Sequence, residues 1–184
     1  MPATRIWTIG HSTRSADTFV DLLRTHQIDR LADIRSIPQS RRHPHFGRDA
    51  LERLLREQSV QYRHFRDLGG LRKPKADSPN AGWKNQAFRG YADHMTTPEF
   101  SAAVDALLNF ADDGRAAVMC AEAVWWRCHR MLLSDALAAR GIDVRHILNE
   151  AAAQPHRLTP FARLDGARVW YPPQPNQLDL SLKN

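Results

Sequence analysis

Apolar positions change period along the chain, and the changes mark out alternating strands and helices. Residues 5–10, "RIWTIG", form a short apolar run that reads as a first strand. "SADTFVDLLRTHQI" follows, with Ser15 as N-cap and Phe19, Leu22, Leu23 and His26 on one helical face. "RLADIRSI", residues 30–37, predicts a second strand. In "RDALERLLREQ", residues 48–58, Asp49 suits a cap with Glu52 three residues on, and Leu51, Leu54 and Leu55 share a face. Residues 60–65 alternate and predict a third strand.

From Asp67 to Gln86 the pattern turns polar, broken by Gly69, Gly70, Pro74, Pro79 and Gly82. This predicts a long loop, 67–86, either functional or mobile. A short helix fits 87–95. The next helix has Thr97 as N-cap, Pro98 at its first position and Gly114 as terminator. "RAAVMC" is a fourth strand, 128–140 a helix closed by Gly141, and "DVRHIL" a fifth strand. The Pro-rich stretch 150–184 is expected to pack on the domain as a C-terminal extension, with one strand near "RVWYP". Together these elements predict α/β architecture: a single compact domain, 1–184, whose largely parallel sheet is flanked by helices on both faces. Ligands in such folds bind beyond the carboxyl ends of the strands.

Composition narrows the class. With 184 residues, 42% hydrophobic and 25% charged, the chain can bury one substantial core and does not resemble a disordered one. No apolar run approaches the ~18 residues of a membrane span. "MPATRIWTIG" lacks the apolar stretch of a secretory signal, so the expectation is a cytoplasmic protein with no membrane partner. Two cysteines exclude a disulfide framework, and in a reducing compartment both stay thiols.

The net charge is +6, from 22 arginines and 4 lysines set against 20 acidic residues. Arginine presents a planar fork to phosphates and carboxylates. The partner this suggests is an anionic small molecule or a nucleic acid. A plain bias towards arginine codons is the competing explanation.

Chemistry-bearing residues recur at the carboxyl ends of three strands. Gly10 leads into His11 and Ser12, before a helix whose free N–H groups favour anions. Asp33 and Arg35 share a strand face, either as an ion pair or toward substrate. Arg41 and Arg42 lie in a basic loop with His43, His45 and Phe46, which could be a solvated patch or a phosphate site. The segment "MCAEAVWWRCHR", residues 119–130, holds both cysteines. Cys128 is expected at a helix amino end, where Arg127, His129 and Arg130 favour its thiolate. Cys120 reads as the more buried thiol, and Glu122 as an acid/base or an arginine partner. Trp125 and Trp126 suit either the core or a planar ligand.

Cys120, Cys128, His129 and His11 are also soft zinc ligands. Adjacent helical residues such as Cys128 and His129 point roughly 100° apart, however, and the spacing is not a usual zinc motif. No cofactor is therefore expected, with zinc the alternative.

"TIGHSTRSADTFVDLL", "DIRSIPQSRRHPHF", "YRHFRDLGGLRKP", "FRGYADHM", "CAEAVWWRCHR", "VRHIL" and "PHRLTPFAR" follow one another in order. With this set the chain closely resembles the family called domain of unknown function 488, over residues 5 to 172. The resemblance implies a small α/β protein. It implies that His11, Ser12, Asp33, Arg35, Cys120, Glu122, Cys128, His129 and Arg130 sit in the family's motif blocks, and it implies no reaction.

Residue chemistry alone therefore sets the functional expectation. It is an enzyme, a thiol- or acid/base-dependent hydrolase or transferase, acting on a phosphate-bearing or nucleic-acid substrate. Cys120 or Cys128 would be the nucleophile, Glu122 and His129 would transfer protons, and His11 would polarise the reacting group. Ser12, Asp33, Arg35, Arg41, Arg42, Arg89, Tyr91 and Arg130 would hold the substrate. The alternative is a non-catalytic nucleotide- or nucleic-acid-binding module, in which the cysteines merely pack.

Overall fold

The computed structural model describes residues 4–175. Residues 1–3 and 176–184, and with them the last part of the expected 150–184 extension, lie outside the described residues. Five parallel strands form the frame: β1 (Arg5–Gly10), β2 (Arg30–Asp33), β3 (Gln61–His64), β4 (Ala116–Cys120) and β5 (Asp143–Ile147). A short β6 (Gln154–Pro155) adds antiparallel to β5, giving the order β3-β2-β4-β1-β5-β6. A separate hairpin joins β7 (Arg163–Asp165) to β8 (Arg168–Trp170).

Strand alternation divides the core into two layers. Trp7, Ile9, Leu31, Ala117 and Met119 face α1 (Ala16–Thr25) and α2 (Arg48–Glu57), packing against Phe19, Leu23, Leu51 and Leu55. Ile6, Ala32, Ala116, Val118 and Cys120 face the opposite way. They meet Tyr91 of α3 (Gln86–His94), Phe100 and Val104 of α4 (Pro98–Ala111), and Leu132 and Leu133 of α5 (Arg130–Ala139). The protein is thus a single compact α/β domain with helices on both faces of a mostly parallel sheet. No helix among the described residues is long and apolar enough to cross a membrane.

Caps confirm some boundaries and move others. Ser15 accepts from Thr18 N, and Thr97 accepts from Phe100 N with Pro98 opening the helix. The expected cap at Asp49 is incorrect. A 3₁₀ turn at Pro44–Phe46 delivers the chain into α2 through Gly47, leaving Asp49 in the first turn, where its charge suits the helix dipole. The second strand stops at Asp33 rather than residue 37, because the Arg35 N–H folds back onto the Asp33 carboxylate. The last long helix begins at Arg130 rather than 128, because a 3₁₀ turn at Trp125–Arg127 leaves Cys128 extended.

The stretch from Gly69 to Asn85 has no regular structure, yet polar bonds fasten it. The buried Asp93 carboxylate accepts from Lys75 N, Ser78 Oγ and Asn80 Nδ2. Asn80 in turn accepts from Tyr171 N, joining this loop to the C-terminal segment. That segment packs on the domain through buried Thr159, Val169 and Tyr171.

Candidate functional site

The site begins where β1 and β4 end side by side, with Gly10 registered against Cys120. The chain after Cys120 stays close to β1: His11 N donates to Cys120 O at 2.9 Å and Ser12 N to Ala121 O at 2.9 Å. Ser12 takes a positive φ of 50° to make this turn. Gly10 has no side chain to obstruct the passage, and the Glu122 carbonyl occupies the space where a Cβ would stand.

The Trp125–Arg127 turn then reverses the chain, and the extended Cys128 brings its sulfur back to Cys120. The two Sγ atoms lie 3.0 Å apart, as free thiols. Both are almost fully buried. Cys128 Sγ also receives the Arg130 backbone N–H at 3.2 Å and Arg130 Nε at 3.4 Å.

Arg130 itself is 0% exposed. Its Nη2 donates to Glu122 O at 2.6 Å and Ala123 O at 3.3 Å, and its Nη1 to Thr8 Oγ1 at 3.3 Å. Among the described residues no carboxylate forms an ion pair with it. Buried charges require a partner, and the ionisable side chain within reach is Cys128. Burial on its own pushes the Cys128 thiol up. The hydrogen bond from Cys120, together with the charge and N–H groups of Arg130, more than offsets it and brings the thiol down to about 6. Cys120 moves the other way: burial, and then its bond to Cys128, hold it well above the ordinary range. The two shifts are opposed, and Cys128 is the more acidic sulfur of the pair.

These sulfurs lie on a cleft of about 440 Å³, whose walls include Arg35, Ile37, Leu71, Phe88, Arg127 and His129. His129 Nε2 donates to Ile34 O at 3.1 Å, and burial lowers the ring to about 4, so it is neutral. Gly70 packs directly against this ring; a larger residue there would overlap Nδ1. Arg35 is committed to a buried bidentate pair with Asp33, at 2.9 and 2.6 Å, and to Phe46 O at 2.8 Å. Tyr62 adds its hydroxyl to Asp33 at 2.7 Å.

A second cavity, of about 380 Å³, shares the Ala121–Glu122 wall with the first and is lined by His11, Ser12, Arg41, Arg42 and His43. Arg41 and Arg42 are exposed. His11 stacks on Phe46 with centroids 4.3 Å apart and donates from Nδ1 to Ser12 O. Burial first, then the nearby Arg35 charge, lower its ring to about 4 despite the Ser12 bond. The Glu122 side chain is exposed between the two cavities.

The family described as Domain of unknown function DUF488 matches residues 15–137. The chain belongs to the DUF488 family. No curated protein and no solved structure matches it. The DUF488 match contains Asp33, Arg35, Cys120, Cys128 and Arg130, while Thr8, Gly10 and His11 precede it.

The DUF488 fold does not bring every expected residue to the clefts. Tyr91 is wholly buried in the core, with its hydroxyl donated to Leu68 O at 3.0 Å. Arg89 bonds Trp83 O at 3.0 Å and lines neither cavity. Trp125 stacks on His146 rather than offering an open face, at 4.2 Å and 7°. Among the described residues no three His, Cys, Asp or Glu side chains converge as a metal site.

One polar chain went unread in the sequence. Arg130 Nη1 donates to Thr8, Thr8 Oγ1 meets His146 Nδ1 at 2.8 Å, and His146 Nε2 meets His156 Nδ1 at 3.0 Å. His156 Nε2 reaches Asp135 Oδ1 at 2.8 Å. Burial, with His156 and Arg130 nearby, lowers His146 to about 3 and keeps it neutral. One consistent direction of donation therefore runs from Arg130 to the Asp135 carboxylate. The available signal was a threonine and a histidine each followed by an isoleucine inside predicted strands, at positions that alternation places on the buried Ile6 and Val144 side.

Proposed function

We propose that this DUF488 protein is a thiol-dependent enzyme whose nucleophile is the Cys128 thiolate. One observation carries the reading: Arg130, fully buried and with no carboxylate paired to it among the described residues, gives two N–H groups to Cys128 Sγ. A buried guanidinium that faces a sulfur stabilises thiolate in the resting protein, so no general base is needed to generate the nucleophile. Neutral His129 borders the same cleft, with Nε2 fixed on Ile34 O.

The substrate we propose is anionic, of the phosphate-bearing or nucleic-acid class. Arg127 on the first cleft, and Arg41 and Arg42 on the adjoining cavity, support this. A dithiol of this kind persists in a reducing compartment, which favours the cytoplasm.

The test is mass-mapped alkylation with iodoacetamide at pH 7, combined with a thermal-shift screen of nucleotides, sugar phosphates and short oligonucleotides. The expected result is modification at Cys128 ahead of Cys120, slowed by whichever anion raises the melting temperature. An unreactive Cys128 in the folded protein at pH 8 would overturn the assignment. The alternative, a non-catalytic binding module, rests on the exposed Arg41 and Arg42. It predicts that anion affinity is untouched when both thiols are alkylated.

A further inference from the structure

The Cys128 sulfur has a second thiol against it, and nucleophilic transfer to carbon or phosphorus uses that thiol only as a hydrogen-bond donor. Cys120 Sγ lies 3.0 Å from Cys128 Sγ, and both line the same cleft. Closing a bond between them to about 2.0 Å requires a shift of roughly an ångström, within the reach of side-chain adjustment. Cys120 is at the end of a central strand, whereas Cys128 follows a one-turn 3₁₀ segment in a connecting loop. The second sulfur can therefore advance on the first without disturbing the sheet.

Resting on the Cys128 reading above, we propose that the bond this site attacks is a sulfur–sulfur bond. The substrate class is a small disulfide carrying anionic groups, and Cys120 is the resolving thiol. Cys128 thiolate attacks one sulfur of the substrate; a new S–S bond forms and the other half leaves as a thiolate. Cys120 then attacks Cys128 Sγ, the second half departs, and the Cys120 proton passes to it. The products are two substrate thiols, one of them ionised at the moment of release, and a Cys120–Cys128 disulfide. The two electrons that reduce the substrate come from the two cysteines.

The surroundings agree with this chemistry. Thiol–disulfide exchange needs a thiolate, a resolving thiol and access, and no activated water. Ile37 and Leu71, 62% and 74% exposed, stand at the mouth as apolar contacts, and Arg127 supplies a positive charge. His129 lines the cleft as a neutral wall, its Nε2 held by Ile34 O.

The experiment treats the reduced full chain with dithiobis(nitrobenzoate), a small anionic aromatic disulfide, and with oxidised glutathione, following released thiol and intact mass. Wild type should release two thiols per chain and end lighter by two hydrogens, with no adduct. Cys120→Ser should release one and retain the other half on Cys128, removable by dithiothreitol. A wild-type chain that keeps an adduct on Cys128, or on both cysteines, overturns the proposal without reference to any variant. Iodoacetamide separates the two readings. Fast alkylation of Cys128 alongside a persistent adduct leaves the nucleophile standing and removes only the disulfide chemistry, whereas slow alkylation removes both.

Discussion

The α-carbon of Gly10 faces the carbonyl oxygen of Glu122 so closely that no Cβ fits between them. That carbonyl is also the 2.6 Å acceptor of Arg130 Nη2. A methyl group at position 10 must displace backbone rather than a flexible side chain, and the displaced backbone holds the arginine. Gly10→Ala is expected to cost about 1–3 kcal/mol in urea unfolding. It should also slow Cys128 alkylation at pH 7, because Arg130 loses an anchor. A variant as stable and as reactive as wild type would show that the loop yields freely.

Stability should climb with pH from about 4 to 9. His11 and His129, at about 4, and His146, at about 3, are held neutral when folded, against an ordinary value of 6.5. The unfolded chain binds their protons first, so folding weakens as pH falls from 6.5 towards 4. Cys128 acts in the same sense over a higher window. Its folded value of about 6 lies below its ordinary 9.0, so its contribution is full above 9 and is lost as pH falls through 6. Each titrating group adds up to about 1.4 kcal/mol per pH unit within its window. Urea midpoints measured across this range check the slope, and a flat profile between pH 4 and 6.5 would contradict the neutral histidines.

Local signals were legible in the sequence, and long-range polar pairs were not. Ser15, Thr97 and Pro98 announce their helices because a cap acts on residues two or three positions away. The gathering of Cys120, Cys128 and Arg130 was legible because they stand within one strand-to-helix connection. The contact between the sulfurs was not, since it depends on a single 3₁₀ turn. Thr8 and His146 are 138 positions apart, and nothing local marks them as partners. Tyr91 misled because an aromatic on an amphipathic helix looks the same whether it faces the core or a ligand. Asp33 and Arg35 left two readings open; their burial together on one strand end favours the ion pair.

That pair makes its own prediction. Its side chains are 0% and 5% exposed, and Tyr62 and Phe46 complete the hydrogen bonds. Removing one charge leaves the other buried and uncompensated. Asp33→Ala and Arg35→Ala should therefore each cost about 3–5 kcal/mol, and the double variant clearly less than their sum. A double-mutant cycle by urea unfolding measures the coupling. Strict additivity would mean that the pair is solvated in solution.

Arg130 should not be replaceable by lysine. Its backbone and side chain together direct N–H groups at one sulfur, two carbonyls and one hydroxyl, from fixed directions. Lysine keeps the charge but concentrates it on one ammonium at the end of a flexible stem. Placed near the sulfur, that ammonium leaves the Glu122 and Ala123 carbonyls unmet; placed near the carbonyls, it leaves the thiolate with a weaker counter-charge. Arg130→Lys should shift the pH dependence of Cys128 alkylation upward from about 6, and Arg130→Met should shift it further. Each should also lose roughly 1–3 kcal/mol of stability through unpaired buried groups. The informative quantity is the ordering of the three pH profiles, wild type lowest and methionine highest, with rates converging once every variant is fully ionised. If all three titrate together, the thiolate is held by something other than this guanidinium, and the proposed nucleophile loses its physical basis.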